Sequence, residues 1–416
     1  MSFMPSLMSQ SPADDPRVQY DLNTAGPNNL GSLVYEGDKF GYDYKIEVMK
    51  GLLWTSYTAE MGRFQTMISA KLGQTNMRRH GYMRNGMAAN NSEGNSRIAR
   101  FGEGGAKGSI NFDAGKGHVF KIGVGYEWRP PMANTAFISP EICNDYVLNL
   151  GDEHVFSSEF SYQYQNAWMH ANVNAYYSRL DHVTEWQNFY NDDENSFTYL
   201  SMTGIEKEYY GIEAGLDFKV ASFLNFKAIG TISDAKNINN ANVNYMLSKS
   251  AEVVRDYAYI KDMRESGTPL TIGSLALDFH KSGWFVNLNA NWYDRIYLSY
   301  SPSYRYKSSL KNRDMLFNDE PLPGSVDQAK GHGGWMVDGS IGKSIRLKHG
   351  SLNFNLMITN ILNNRKIVSG GYEQSRSDYT VNKENEAKDR VYKFSKNPKK
   401  YYVFGTNGMF QVSYRF

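Results

Sequence analysis

The 416-residue sequence contains a single cysteine, Cys143, so neither an intrachain disulfide nor a zinc site built from paired cysteines is possible. It also lacks any run of about 18 consecutive apolar residues, which argues against a helical membrane protein. The mean hydropathy of −0.56 points the same way. An excess of charge of one sign is missing too, because 45 Lys and Arg are matched by 43 Asp and Glu. We therefore expect no nucleic-acid partner.

The first residues, MSFMPSLMSQSPADDPR, have neither a basic region nor a continuous apolar segment, so they do not form a secretory signal. If the protein lies beyond the inner membrane, we expect the sequence given to lack its true start.

Aromatic residues and glycine are abundant, and side chains alternate in polarity along most of the chain. Aromatics make up 14% of the sequence, and there are 37 glycines. In 209–220, YYGIEAGLDFKV, the even positions are apolar or aromatic and the odd positions are mostly glycine or charged. The same alternation fills 284–300. A period of two is the signature of β-strands.

Two β architectures alternate in this way, a soluble sandwich and a transmembrane barrel. Strands of soluble proteins average about five or six residues. Here the alternation often continues for roughly ten residues, close to what a tilted membrane-crossing strand needs. The polar faces contain Gly, Asn, Ser and Gln with occasional charges, which is typical of a wet barrel interior. The pattern favours an all-β, transmembrane antiparallel barrel.

The connections between strands support the same interpretation. Strands are predicted at 40–57, 60–74, 107–114, 117–129, 153–165, 168–186, 203–220, 223–233, 268–280, 284–300, 334–346, 350–362 and 407–416. Short turns alternate with long loops at about 75–106, 130–152, 187–202, 234–267, 301–333 and 363–406. Outer-membrane barrels have this plan, with short periplasmic turns and long extracellular loops. The last strand then runs inward, and Phe410, Val412, Tyr414 and Phe416 are predicted to face lipid.

Several stretches resemble the C-terminal barrel portion of TonB-dependent outer-membrane receptors of the type common in the Bacteroides group. They are LVYEGDKFGYDYKI (33–46), RRHGYMRNG (78–86), GHVFKIGVGYEWRPPMANTAFISPEICNDYV (117–147), TGIEKEYYGIEAGLDFK (203–219), GTPLTIGSLALDFHKSGWFVNLNANWYDRIYLSYSPSYR (267–305), MITNILNNRKIVSGGYEQSR (357–376) and the closing FQVSYRF. Their order along the chain is more specific than any one of them.

The resemblance implies a periplasmic plug followed by a 22-stranded barrel in a Gram-negative outer membrane. It also implies uptake of a scarce ligand such as an iron chelate, cobalamin, glycan or peptide, driven through an N-terminal contact with the TonB complex. Signal, plug and TonB contact are not found here. We therefore expect a C-terminal fragment with about 13–14 strands, comprising a loop-like segment at 1–38 and barrel at 39–416. Expected partners are outer-membrane lipid, lipopolysaccharide and the barrel-insertion machinery, which would read the terminal aromatic pattern ending at Phe416.

Catalytic and metal-binding patterns are missing from the sequence. The eight histidines have no metalloprotease spacing, and GEGGAKG (102–108) lacks the ending of a phosphate-binding loop, so a flexible loop is predicted there. NDDEN (191–195) lacks the spacing of a calcium loop. We expect no enzyme, no cofactor and no metal.

Two basic and aromatic stretches in the loops are the candidate ligand contacts. Arg78, Arg79 and Arg84 form the first, and Tyr304, Arg305 and Tyr306 form the second. The parallel N–H donors of an arginine guanidinium suit the carboxylates of an anionic chelate or acidic glycan. Alternatively, these side chains satisfy other loops or lipopolysaccharide phosphates.

Two further architectures are left open by the sequence. A self-contained porin-like barrel would pair strand 40–57 with 407–416. A soluble all-β carbohydrate-binding protein would bury the faces that carry Trp284, Trp292, Ile212 and Leu216 in a core.

Overall fold

The computed structural model describes residues 42–85, 88, 90–191, 196–248, 250, 252–373, 379–381, 387–389 and 398–416. The predicted loop-like segment 1–38 and most of NDDEN lie outside these residues. No helix among the described residues is long and apolar enough to cross a membrane.

One antiparallel sheet forms the body of the molecule, and thirteen strands follow one another across it in chain order. Each predicted strand overlaps one of them. We number them β1 (Tyr44–Met61), β2 (Phe64–Gly81), β3 (Ala99–Gly115), β4 (His118–Arg129), β5 (Glu153–Gln165), β6 (Met169–Asn191), β7 (Ser196–Ala221), β8 (Leu224–Asn237), β9 (Thr271–Lys281), β10 (Trp284–Asp294), β11 (Gly334–Leu347), β12 (Gly350–Thr359) and β13 (Asn407–Arg415).

The connections alternate in length, as the sequence predicts. At one end, consecutive strands are joined by two or three residues, as between β3 and β4, where Lys116 and Gly117 both have positive φ. That conformation belongs to tight hairpin turns. At the other end, the connections 82–98, 130–152, 238–270 and 295–333 are long by residue number, and the structure describes them apart from 86, 87, 89, 249 and 251. The sheet therefore has a short-turn end and a long-loop end.

Some predicted boundaries at the long-loop end are wrong. The glycine-rich 102–108 lies within β3 and is not a flexible loop, and most of the predicted loop 187–202 is a continuation of β6 and β7. Cross-strand pairing on both sides outweighs the low strand propensity of these residues. In contrast, β10 and β12 end earlier than predicted, because Arg295 and Asn360 adopt positive φ just after them.

The register separates an apolar outward face from a polar inward face. Ile110 of β3 lies opposite Ile122 of β4, which lies opposite Phe160 of β5, and this outward row continues around the sheet. The outward residues include Ile68, Leu72, Ile110, Ile122, Ile212, Leu275, Leu288, Ile341, Leu356 and Phe410, all of them exposed. The inward positions are mostly polar or glycine. An exposed apolar surface of this extent fits a hydrocarbon surrounding rather than water.

The two alternative architectures do not agree with these observations. Trp284 and Ile212 are exposed, so the apolar faces are not the core of a soluble sandwich. Across the described residues, β1 pairs with β2 and not with β13, and β13 pairs with β12 alone. The sheet therefore has two open edges, and the pairing required by a self-contained barrel is not observed.

The long loops fold over the long-loop end into a layer that we call the cap. It contains further strand segments, a 3-10 turn and one short helix. They are Gly94–Asn95, Ala241–Leu247, Val253–Ala258, Leu316–Phe317, Glu320–Pro321, Val368–Glu373, Tyr379–Val381, Ala387–Asp389, Pro398–Tyr402, the turn Pro302–Arg305 and α1 (Lys307–Lys311). The buried apolar clusters of the described residues lie in the cap and the adjoining strand ends, not in the middle of the sheet.

Candidate functional site

The inward faces of β2–β5 carry lysine and glutamate side chains around an open hollow, to which β1 contributes Leu52 and Trp54. Lys71 Nζ lies 2.6 Å from Glu127 Oε2, and Lys121 pairs with Glu159. The bridge from Lys71 to Glu127 passes over Gly105, which lies between them in the register. The hollow has a volume of about 680 Å³. We call this surface the inner-wall site.

Glycines keep the inner-wall site open. Gly105, Gly123 and Gly125 occupy inward positions where a longer side chain would fill the hollow. Glu159 lies directly over Gly123, with its Cγ 3.2 Å from where a Cβ would be. Glycine in a strand commonly marks such a close approach. Glycine lowers the local stability of these strands, but it leaves space for the charged side chains of their neighbours.

Lys107 differs from the other lysines of this surface. It is exposed on the inward face of β3, opposite Ser69 and Gly125. The neighbouring Lys71 and Lys121 are neutralised by glutamates, whereas no carboxylate of the described residues lies within ion-pair distance of Lys107. The inner-wall site therefore offers one uncompensated positive charge to a ligand.

We expect Gly105→Ala to destabilise the sheet by about 1–3 kcal/mol, the range for overpacking. The added Cβ would lie 2.7 Å from Tyr126 O and 2.7 Å from Glu127 Cβ. Backbone in a paired strand cannot move aside at low cost. Gly102→Ala is the matched control, because no atom lies within 4 Å of its added Cβ. Urea unfolding of the two variants in detergent should give a lower midpoint for Gly105→Ala; equal midpoints would contradict this account.

The first basic stretch is divided by the alternation of β2. Arg79 is 1% exposed and donates to Pro140 O at 2.7 Å and to Asn144 Oδ1 at 2.6 Å. Its guanidinium also donates to Ser92 O at 2.6 Å. Arg79 thus holds two loops together. This agrees with the alternative in which the arginine contacts other loops and not a ligand.

Arg78 and Arg84, in contrast, remain accessible at the long-loop end of the sheet. Arg78 pairs with Glu47, and Arg84 Nε lies 3.8 Å from a carboxylate oxygen of Glu93. Both side chains are more than 40% exposed. A ligand role for these two stays a prediction.

The second stretch is enclosed by the cap. Tyr304 and Tyr306 are buried, and the Arg305 side chain is 0% exposed. Arg305 forms a bidentate pair with Glu373, with nitrogen–oxygen distances of 2.6 and 2.9 Å. It donates as well to the carbonyl oxygens of Ser301 and Asp327. The observed contacts of these residues are to the protein itself.

Burial suppresses the acidity of two groups in the cap. It raises the pKa of Tyr306 well above its usual value, and it raises the pKa of the Cys143 thiol to about 11. Because the thiolate is the reactive form of cysteine, the protonated Cys143 is inert at neutral pH. Both residues serve as parts of apolar clusters.

The terminal strand β13 places the predicted aromatic row on the outward face. Phe410, Val412 and Tyr414 are opposite Leu356, Phe354 and Leu352 of β12, in that order. Tyr414 donates its hydroxyl to His349 O at 2.6 Å, which anchors the ring at the short-turn end. Phe416 follows the strand and is fully exposed. Their role in membrane insertion stays a prediction.

Sequence reasoning missed the inner-wall site, although a signal was present. The strand pattern alone places four charged residues on one face, because they occupy inward positions of the consecutive strands β2–β5. They are Lys71, Lys107, Glu127 and Glu159. The sequence does not show which of these charges form ion pairs. Within the described part of the chain, no group of three His, Cys, Asp or Glu side chains is placed to hold a metal ion.

No protein-family model matches the chain, and no curated protein sequence does either. Solved structures do resemble it. The copper transporter OprC is 12% identical with a TM-score of 0.57, and the match covers 89% of this chain and 50% of OprC. The ferric citrate transporter FecA is 9% identical with a TM-score of 0.56, covering 93% of this chain and 48% of FecA.

The FrpB iron transporter from Neisseria meningitidis is 10% identical with a TM-score of 0.54, covering 90% of this chain and 46% of FrpB. The chain thus spans about half the length of the structures that it matches. All three are named as transporters and none as an enzyme, in agreement with the expectation of no catalysis. The order of strands, the alternating connections and these likenesses lead to one conclusion: the chain has the fold of the β-barrel portion of TonB-dependent outer-membrane receptors.

Proposed function

We propose that the chain is the C-terminal barrel portion of an outer-membrane receptor that takes up a scarce ligand with TonB-derived energy. The observation that supports this proposal is the wall itself, which is apolar on its outward face, mostly polar on its inward face and continued at one end by the cap. Such a wall separates lipid from a polar passage.

Among the ligand classes considered, an anionic metal chelate fits the inner-wall site best. Lys107 supplies an uncompensated charge, and the flanking lysine–glutamate pairs supply a polar surround. The three matching structures are named as copper, ferric citrate and iron transporters. Arg78 and Arg84 at the outer rim would meet the same ligand first. Cobalamin, glycans and peptides remain the alternatives for the test.

We expect Lys107→Gln to weaken binding of an anionic chelate by roughly tenfold, because a charge-assisted contact contributes about 1.5 kcal/mol or more. Uptake of radiolabelled ferric chelates, cobalamin and oligosaccharides by cells that produce the protein would identify the ligand and measure this loss. Lys116→Gln, in the turn between β3 and β4, is the matched control. Equal losses in both variants would show that Lys107 does not contact the ligand. Unchanged uptake of every ligand after gene deletion would refute the transport function.

The terminal aromatic row is proposed as the signal read by the barrel-insertion machinery. We expect Phe416→Asp to lower the amount of protein assembled in the outer membrane much more than Arg415→Ala does. Phe416 is exposed and continues the parity of the outward row, whereas Arg415 has the opposite parity. Immunoblots of outer-membrane fractions would compare the two. Assembly of both variants to equal levels would count against this role.

A further inference from the structure

Trp54 of β1 lines the inner-wall site without a stacking partner. It lies opposite Lys71 in the register, which gives it the inward parity, and it is 69% exposed. No aromatic ring or cation of the described residues stacks on the indole, and its N–H donates to none of their acceptors. The flat surface of the indole is therefore open to the hollow.

The other six tryptophans of the chain each have a partner of this kind. Trp186 donates its indole N–H to Ile138 O, and the remaining five lie beside an aromatic ring or a lysine. They are Trp128 beside Tyr126, Trp168 beside Phe218, Trp292 beside Trp335, and Trp284 beside Lys343. A single exposed apolar residue needs no ligand to explain it. Trp54 differs because it lies inside a hollow that also holds an uncompensated charge.

Small side chains separate the indole from that charge, the ammonium group of Lys107. Ser56 follows Trp54 on the inward face of β1, and it lies opposite Ser69, which lies opposite Lys107. From the usual spacings of strands and residues, the backbones at Trp54 and Lys107 are roughly 12 Å apart. The serines leave this stretch of the wall low. One ligand could therefore contact the indole and the ammonium group together.

The end of the hollow that contains Trp54 has apolar neighbours. Leu52 precedes Trp54 on the same face, and its Cδ1 lies 2.9 Å from where a Cβ on Gly73 would be, so the leucine leans over this glycine. Met67 lines the same hollow. Apolar surroundings favour an aromatic ring, which needs no hydrogen bonds at its face, over a sugar ring, whose hydroxyl groups do need them.

We propose that Trp54 stacks on an aromatic ring of the ligand whose negative charge Lys107 binds. This inference rests on the proposed function and narrows the ligand of the inner-wall site to an anion that carries a flat ring. An aromatic hydroxy acid that chelates a metal ion has this chemistry, because its oxygen donors and its negative charge are attached to the ring. Trp54 is then a specificity-determining residue, whereas Lys107 accepts any anionic chelate of suitable size.

The experiment compares two ferric chelates, one with dihydroxybenzoate and one with citrate, which has no ring. Calorimetric titration of the protein purified from outer membranes in detergent would measure both affinities for the unaltered protein, Trp54→Ala, Trp54→Phe and Lys107→Gln. Tyr57→Ala is the matched control. Tyr57 is an aromatic residue of the same strand, is 71% exposed, and lies opposite Ile68 on the outward face.

We expect Trp54→Ala to weaken binding of the ring-bearing chelate roughly fivefold, within the range for a lost pair of stacked rings, and to leave ferric citrate unchanged. Trp54→Phe should retain most of the affinity, and Tyr57→Ala should retain all of it. Lys107→Gln should weaken both chelates, because both are anions.

Three results would overturn the inference. Equal weakening of both chelates by Trp54→Ala, together with a lowered urea midpoint, would assign the indole to packing of the wall. Unchanged binding of both by Trp54→Ala, with both weakened by Lys107→Gln, would remove the ring from the ligand and leave the proposed function in place. Binding of neither chelate by the unaltered protein would contradict the proposed ligand class, and with it this inference.

Discussion

Arg305→Ala is expected to destabilise the cap by about 3–5 kcal/mol, the range for removal of one partner from a buried ion pair. The pair is fully enclosed, with side-chain exposures of 0% for Arg305 and 1% for Glu373. Without Arg305, the Glu373 carboxylate would remain buried with only the backbone N–H groups of Ser301 and Ala329 as donors. A buried charge without its counter-ion is among the costliest changes that one substitution makes.

The loss should be confined to the cap, because Arg305 connects three segments of it. Its guanidinium contacts the 299–305 segment, the carbonyls of Val326 and Asp327, and the strand Val368–Glu373. Hydrogen exchange on the membrane-inserted protein would show faster exchange in these segments and unchanged protection in β1–β9. Uniform acceleration throughout the sheet would contradict a local role.

Two further variants sharpen this test. Arg84→Ala, at an exposed arginine 3.8 Å from Glu93, should change stability by no more than about 1 kcal/mol. Replacement of both Arg305 and Glu373 by apolar residues of similar size should recover much of the loss, since well-packed apolar groups often substitute for buried ion pairs. If the double variant is no better than Arg305→Ala, packing around the guanidinium rather than its charge stabilises the cap.

Leu288→Arg is expected to prevent stable insertion of the sheet, at a cost of about 2–4 kcal/mol for a cation near the middle of the lipid-facing band. Leu288 is in the middle of β10, 44% exposed, between Leu277 of β9 and Gly339 of β11. A guanidinium there cannot reach water without distorting the lipid around it.

Asn289→Arg is the matched control, one residue along the same strand and on the inward face. Its charge would enter the polar interior, so assembly should be little affected. Heat-modifiable mobility of the two variants in outer-membrane preparations would report the assembled fraction. Equal assembly would mean that the outward face does not contact hydrocarbon.

The alternation of side chains was sufficient to predict the sheet, its strand order and its apolar outward face. Each strand pairs with its chain neighbour, so local pattern and global topology coincide, as at Ile110, Ile122 and Phe160. The glycine-rich part of β3 was mispredicted for a physical reason. Its strand conformation comes from β2 and β4 on either side, which a local propensity does not contain.

The fate of the candidate ligand residues could not be deduced in the same way. For Arg79 and Arg305 the sequence left two alternatives, contact with a ligand or with other loops, because their partners are 61 and 68 residues away along the chain at Pro140 and Glu373. Sequence shows that a loop is basic but not which carbonyls and carboxylates will enclose the charge. The inner-wall site was missed as well, although strand parity alone determines on which side of the sheet its charges lie.

The location of the apolar clusters has a consequence for how this architecture can diversify. The middle of the sheet is held by backbone pairing, whereas the cap carries its own packed apolar clusters and joins the sheet through continuing strand ends. A loop of the cap can therefore change in sequence around its own apolar cluster while the strand pairing in the middle of the sheet stays the same.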